Sequence, residues 1–404
     1  IIVAAPLNDD DVLTFDVGIS AYTSASSSNV NPFNSHTTST YTSTGASGRG
    51  GSISTSSSPP DGTPWQSSTG ASGQGALYAL NANYSHSSDD RNFMWNSDVS
   101  LSTEFNYNSF GFGGGITKLF NDKNSEISVK SNIYLDNWKI IYPTELHQYD
   151  TYGASFLTSG YFTGVTVLDQ NGAASRSYLP SNFKPWESTA RNSYSASVSF
   201  SQVVNTRSQL SVFFDVLQQQ GQLSTPYQRV YFADKANYYI GQAKYIPNYT
   251  NSSNIAVYQL ADDIERMPNS RFKLPLGLRW NYYFNEKLTM RTYYRYYWDN
   301  WGLRSQTASL EIPFKITDSF TVYPMYRYYI QNAVKYFAPY EQHVSTEQYY
   351  TSDYDLSPFT ANQYGFGFNY TDIFESTTFF GLGIKNVDFR FNHYSRTDGL
   401  SANI

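Results

Sequence analysis

The 404-residue chain contains no cysteine. That absence removes disulfide frameworks, thiolate metal sites and cysteine nucleophiles, and it fits an oxidising envelope compartment without disulfide stapling. Long apolar runs are also missing. No stretch approaches the roughly 18 consecutive apolar residues of a membrane-crossing helix, so spanning by helices is excluded. Charged residues are only 15% of the chain, the net charge is −6, and no basic patch stands out, which argues against a nucleic-acid partner. The five histidines have neither zinc nor haem spacing. The glycine run Gly111–Gly115 lies in a strand pattern, where glycine marks a bend or a close backbone approach, and no phosphate-cradling loop is present. No cofactor and no metal are expected, and no signal peptide is visible.

What the chain has is strict two-residue alternation. Phe93, Trp95, Val99, Leu101, Phe105 and Tyr107 are separated by Asn96, Asp98, Ser100, Ser102, Glu104 and Asn106. Successive strand residues point to opposite faces, so such a segment has one apolar and one polar face. The rhythm recurs at 11–22, 76–86, 93–107, 109–120, 126–138, 190–203, 209–217, 272–284, 288–298, 306–316, 320–330, 362–371 and 379–394. The pattern never changes character, so residues 1–404 read as a single domain. The mean hydropathy of −0.48 does not conflict with a membrane barrel, because half of each strand faces water. Aromatics make up 18%, including 37 tyrosines, as expected where ring and hydroxyl straddle a membrane interface.

Short Asn/Asp/Ser-rich turns alternate without exception with longer or variable connections. The long ones, 23–75, 139–189, 218–271 and 331–361, are expected to be extracellular, and the short turns periplasmic. This predicts an all-β fold, a transmembrane antiparallel up-and-down β-barrel. Ile1–Ala5 reads as the tail of a strand, and Ile404 falls where another begins, so the sequence reads as trimmed at both ends. One further strand ahead of Ile1 would give about 16 in the intact barrel, with about 14 substantially present here, a number that leaves an aqueous lumen. Loop 23–75, rich in Ser, Thr and Gly, is predicted to be mobile. Loops 139–189 and 218–271 carry packing material (Ile140, Ile141, Tyr142, Leu146, Trp186, Tyr227, Tyr231, Phe232, Tyr238, Tyr239) and are expected to fold over or into the barrel mouth. Pro275, Pro313 and Pro324 fall inside strands and are expected near strand ends, where a missing ladder donor matters least.

The runs SFGFGGGITKLFNDKNSEISVKSNIYLDNWK (109–139), LPLGLRWNYYFNEKLTMRTYYRYYWDNWG (274–302), YYTSDYDLSPFTANQYGFGFNYTDIF (349–374) and DGLSANI (398–404) resemble an uncharacterised outer-membrane β-barrel family of Gram-negative bacteria, the domain of unknown function of type 3570. The resemblance covers most of the chain from Ala76 onward and is weaker in loops 23–75 and 139–189. It implies fold and localisation in the cell outer membrane. It implies no catalytic residues. Members of the family continue past the SANI run into a closing strand.

Alternation also assigns faces. Arg279, Arg291, Arg295, Arg327 and Lys315, with Lys273 and Arg390, are predicted to line the lumen on one side. Asp16, Asp98, Glu104 and Asp136, with Asp215, face it from the N-terminal half, and Lys130 is the exception. Opposed basic and acidic walls would set a field across the pore that steers charged solutes. The alternative is that these charges pair with neighbours such as Glu311 and Asp388 and only fill a wet interior. Tyr293, Tyr297, Tyr323 and Tyr329 read as lumen packing or as a carbohydrate-stacking track. Trp95, Phe105, Tyr107, Trp280, Tyr294, Tyr296, Trp298, Tyr326 and Tyr328 read as an outward girdle. Arg304 and Arg396 stand at loop bases, where lipopolysaccharide phosphates or plain solvation would suit them.

His147 lies three residues from Asp150, but no Ser, His and carboxylate share one rim, so an enzyme is not expected. Asp262, Asp263 and Glu265, then Asp353 and Asp355, could hold Ca²⁺ or be solvated acidic loops, and the sequence favours the latter. The expected function is an outer-membrane channel for small polar solutes; the alternative is a loop-plugged structural or docking subunit. Expected partners are outer-membrane lipid and lipopolysaccharide, and an envelope lipoprotein or secretion-complex partner in the docking case.

Overall fold

The computed structural model describes residues 1–20, 77–104, 107–140, 142–226, 228–249, 257–372, 378–379, 382–383, 385–397 and 401–403. Fifteen strands follow one another in sequence and in space. They are β1 (Ile2–Pro6), β2 (Asp11–Ser20), β3 (Leu77–Ser87), β4 (Phe93–Glu104), β5 (Tyr107–Phe120), β6 (Ser125–Trp138), β7 (Ala190–Asn205), β8 (Ser208–Gly221), β9 (Ser270–Asn285), β10 (Leu288–Asp299), β11 (Arg304–Glu311), β12 (Phe320–Gln331), β13 (Phe359–Thr371), β14 (Asn386–Arg396) and β15 (Ser401–Asn403). Each pairs antiparallel with the next, and a short piece, Phe314–Lys315, continues β11 against β10 and β12. Short turns fix alternate pairs of neighbours, and the strands joined by the long connections pair as well, which gives an up-and-down order.

The register sorts the side chains into two sets. Phe15, Val17 and Ile19, then Phe93, Trp95, Val99 and Leu101, then Leu276, Leu278 and Trp280, are exposed on one face. A soluble protein does not leave so continuous an apolar surface uncovered. Lipid acyl chains satisfy it, and the wall is that of a transmembrane antiparallel β-barrel. The opposite face carries the polar partners, and its loop end is covered by the long connections.

Those connections form an assembly with its own apolar core. Helix α1 (Thr144–Tyr152) packs with a small sheet of Val167–Asp169, Tyr238–Gly241 and Val257–Gln259, and with the pair Arg229–Val230 and Asp263–Ile264. Leu146, Phe156, Phe162, Ile240, Leu260 and Ile264 are buried together, with Trp186 and Tyr340 packed against them. The described parts of segments 139–189 and 222–269 thus fold onto the mouth, and the 332–358 connection joins them. A second cluster, Met267, Trp301, Leu303 and Val334, packs directly on the wall residue Tyr297.

Several expectations need correction. Tyr107 is not part of the outward girdle. Glu104 pairs directly with Tyr107, so both share the inward face, where Tyr107 meets Trp138 edge-on at 5.2 Å. Phe105 lies outside the described residues, as do loop 23–75, Ile141 and Tyr227. The prolines sit within the wall, at gaps in the ladder. The β8–β9 register skips Pro275, and Pro324 faces the Ile312–Pro313 break that separates β11 from Phe314–Lys315. The strand expected at 379–394 begins at Asn386, because Thr378–Phe379 and Leu382–Gly383 pair with each other instead.

Candidate functional site: the inward wall and its loop cover

Antiparallel partners share a face, so the register can be followed around the wall. Lys273, Arg279, Arg291 and Arg295 lie on one face with Tyr293 and Tyr297: Arg279 pairs with Tyr293, Asn281 with Arg291, and Lys273 with Asp299. The next pairings, Arg291 with Glu311, Ser309 with Arg327, and Gly367 with Arg390, carry the same face onward, and Lys315 joins it opposite Thr321. In the other direction Ser197 pairs with both Asp215 and Lys130. Asp136 is opposite Ser109, Asp98 opposite Gly113, and Asp16 opposite Asn81, while Glu104 pairs with Tyr107. The basic and acidic sets therefore occupy different arcs of one inward surface, with Lys130 and Arg191, the register partner of Asp136, standing among the acidic residues.

Pairing is partial. Arg291 meets Glu311 at 2.8 Å, Arg390 meets Asp388 at 3.1 Å, and Lys315 meets Asp318 of its own turn at 3.2 Å. Among the described residues no carboxylate lies within ion-pair distance of Arg279, Arg295 or Arg327. Arg279 rests instead over Phe213 and Tyr293, 5.4 and 5.7 Å from the ring centroids, and those rings stack at 17°. Gly277 makes that arrangement possible, since a Cβ there would fall inside the Phe213 ring.

Exposure along the inward face changes with height. Arg279, Arg291 and Arg327 are exposed, whereas Asp299, Ser305, Thr307, Gln331 and Ala361, nearer the loops, are buried. Their partners come from the strand ends and from the loops. Asp299 accepts from Arg271 Nε (2.9 Å), the Tyr297 hydroxyl (2.9 Å) and the Leu303 amide (2.9 Å). Gln331 donates to the carbonyls of Asp355 and Ser357. Arg396 is turned inward, bonded to Asp355 at 2.7 Å and laid over Phe359 at 3.8 Å. It is not placed for lipid phosphates, because its register partner Ala361 belongs to the inward face.

Of the acidic loop residues, Asp262, Asp263, Glu265 and Asp353 are buried and not solvated, while Asp355 keeps part of its carboxyl exposed. Asp263 is buried and bonded to Arg266, itself 4.9 Å over Trp186, and to the Tyr350 hydroxyl. Glu265 accepts from the Thr225 amide and the Thr351 hydroxyl, and burial with Asp353 nearby pushes its carboxyl up to about 7. Asp262 accepts from the Phe232 amide, and burial raises it to about 7 as well. Glu145 is fully buried against Arg229 at 2.8 Å. These carboxylates diverge to separate partners, and among the described residues no three potential metal ligands converge. Nothing in the sequence flagged Glu145–Arg229, whose members stand 84 residues apart.

His343 and His86 reach carboxylates. His343 Nδ1 lies 2.6 Å from Glu347, but Nε2 is taken by the Thr351 carbonyl and the ring is buried, leaving no nitrogen for a nucleophile. His86 Nδ1 lies 2.7 Å from Asp11, which also accepts from the Tyr84 hydroxyl, and Trp95 packs beside both rings.

The family described as Protein of unknown function (DUF3570) matches residues 2–399. No curated protein matches the chain. Among solved structures it is similar to a mutant of the ferric enterobactin receptor of Pseudomonas aeruginosa, with 8% identity and a TM-score of 0.42 over 98% of this chain but 50% of that one. It is also similar to a Pseudomonas aeruginosa FadL homologue (10% identity, TM-score 0.36, 80% of this chain and 71% of that one). A third is the outer membrane channel DcaP of Acinetobacter baumannii (9% identity, TM-score 0.33, 80% and 81%). Likeness at this level assigns no substrate, so chemistry has to come from the chain's own residues.

Proposed function

We propose a function for this chain, which belongs to the DUF3570 family: it is an outer-membrane channel for small polar solutes, with the loop assembly folded over its extracellular mouth. The observation that carries this reading is the set of inward arginines 279, 295 and 327 that face no carboxylate among the described residues. A guanidinium without a counter-charge is tolerated only where water or a passing anion reaches it, because dry burial of an unpaired charge is prohibitive. Opposite this arc stand Asp16, Asp98, Glu104 and Asp136, so the interior carries a transverse field. Fields of this kind orient dipolar solutes and concentrate anions along one side. Planar-bilayer recording of the purified protein tests the reading, with discrete conductance steps expected. Silence across several salts removes it.

One observation favours a second reading. The loop assembly buries the upper inward wall through specific hydrogen bonds, as a plug would, and this suits a docking subunit that presents its loops to an envelope partner. Stoichiometric co-purification in mild detergent, with no conductance, would support that assignment.

A further inference from the structure

On the outward face, where β10, β11 and β12 reach the loop end, a groove of about 590 Å³ is lined by Tyr296, Arg304, Gln306, Ile330, Asn332 and Lys335. Two cations line it and no carboxylate does. Arg304 is held by its backbone, whose amide bonds the Asn332 side-chain oxygen at 2.6 Å. Its guanidinium is exposed, and among the described residues no carboxylate lies within ion-pair distance. Lys335 is pinned from the other side. Its amide bonds the Trp301 carbonyl, its Nζ reaches the Asn300 carbonyl at 3.2 Å, and its stem lies over Gly302. Gly302 has φ +94, and a Cβ there would come within 3.0 Å of Lys335 Cγ. One hydrogen bond leaves two of the three ammonium donors for a ligand.

Polarity falls away along the outward positions of β11: Arg304, then Gln306, then Ala308 and Leu310. Tyr328 and Tyr326 stand beside the last two, and Tyr294 donates to Gln306 at 3.0 Å. That order is cation, amide, aromatic and aliphatic, the sequence of surfaces met by a lipid from phosphate to acyl chain. We propose that this groove is a lipid site: Arg304 and Lys335 clamp the phosphate of a phosphorylated membrane lipid, the Gln306 side-chain amide donates to its headgroup, and its acyl chains run over Ala308, Leu310 and Tyr328. The site rests on the membrane placement of the wall and not on solute passage.

The test is binding of lipid A to the full chain in a neutral detergent, read by native mass spectrometry, with inorganic phosphate and phosphatidylcholine as separate arms. Wild type should retain lipid A, and Arg304→Gln with Lys335→Gln should bind at least tenfold more weakly. Arg304→Lys, which keeps the charge, should retain most of the binding. Folding is checked by heat-modifiable migration, and conductance of the double variant should match wild type, which separates failure of this site from failure of the channel. Equal lipid A binding by wild type and double variant overturns the proposal. Displacement by inorganic phosphate at equimolar concentration, or equal retention of phosphatidylcholine, overturns it too.

Discussion

Thr351 donates its hydroxyl to the buried carboxyl of Glu265 across 86 residues of sequence, tying two of the long loops together. The remaining hydrogen bonds of that carboxyl come from the Thr225 amide and hydroxyl, neither of them cationic, and Asp353 disfavours the charge further. Asp262 is in the same position, with the Phe232 amide as its bonded partner. Both groups titrate near 7 in the folded assembly, above the ordinary carboxylate range. The assembled loops therefore hold protons that the unfolded loops have released. Stability from these protons is complete below the ordinary carboxylate pKa, falls as pH rises towards about 7, and is flat above it. Protection factors of segments 228–249 and 257–269, corrected for the base-catalysed rise of intrinsic exchange, are expected to be larger at pH 5 than at pH 8, and Glu265→Gln should remove much of the difference. Identical protection at both values would count against the assignment.

The inward arginines should set ion selectivity. Replacing Arg279, Arg291 and Arg295 together by Gln removes three positive charges from one arc and leaves the acidic arc untouched. Reversal potentials under a salt gradient should then shift towards cation preference, most strongly at low ionic strength, where screening is weak. Unchanged reversal potentials would place these arginines off the conducting path.

Glu145 and Arg229 offer a test of the loop assembly alone. Removing one member of a buried pair leaves the other charged and unsolvated, at a typical cost of about 3–5 kcal/mol. Arg229→Met should therefore expose the loops to protease while the wall still resists it. Adding Glu145→Leu removes the orphaned charge and should restore most of the resistance.

The wall was legible because its physics is local. Period-two alternation puts Leu276, Leu278 and Trp280 on one face and Arg279 on the other whatever the distant sequence does. The errors also have local causes. Glu104 pairs directly with Tyr107, which resets the parity after Glu104 and carries Tyr107 inward. The missing donors of Pro275 and Pro324 suggest strand ends, but a gap opposite the proline serves equally well. The loop network was not legible, because Asp263 finds Tyr350 and Glu145 finds Arg229 only after long segments have folded together. Their carboxylates look solvated until those partners arrive.

The last prediction concerns how Arg279 is held. Phe213 lies flat against the wall only because Gly277 has no side chain, and the stacked Phe213 and Tyr293 rings carry the guanidinium. A methyl at position 277 would collide with the ring, and the backbone between paired strands cannot yield. Phe213 must then rotate away, breaking its stack and leaving Arg279 unsupported. Gly277→Ala should destabilise the barrel by about 1–3 kcal/mol, as overpacking does, measured by urea-dependent loss of the folded electrophoretic form. Phe213→Leu alone loses the stack but meets no collision. In that background Gly277→Ala should cost markedly less, because a smaller side chain can move aside. A double-mutant cycle with zero coupling would mean that the ring is free to leave the wall, and that Arg279 is held by something other than Phe213.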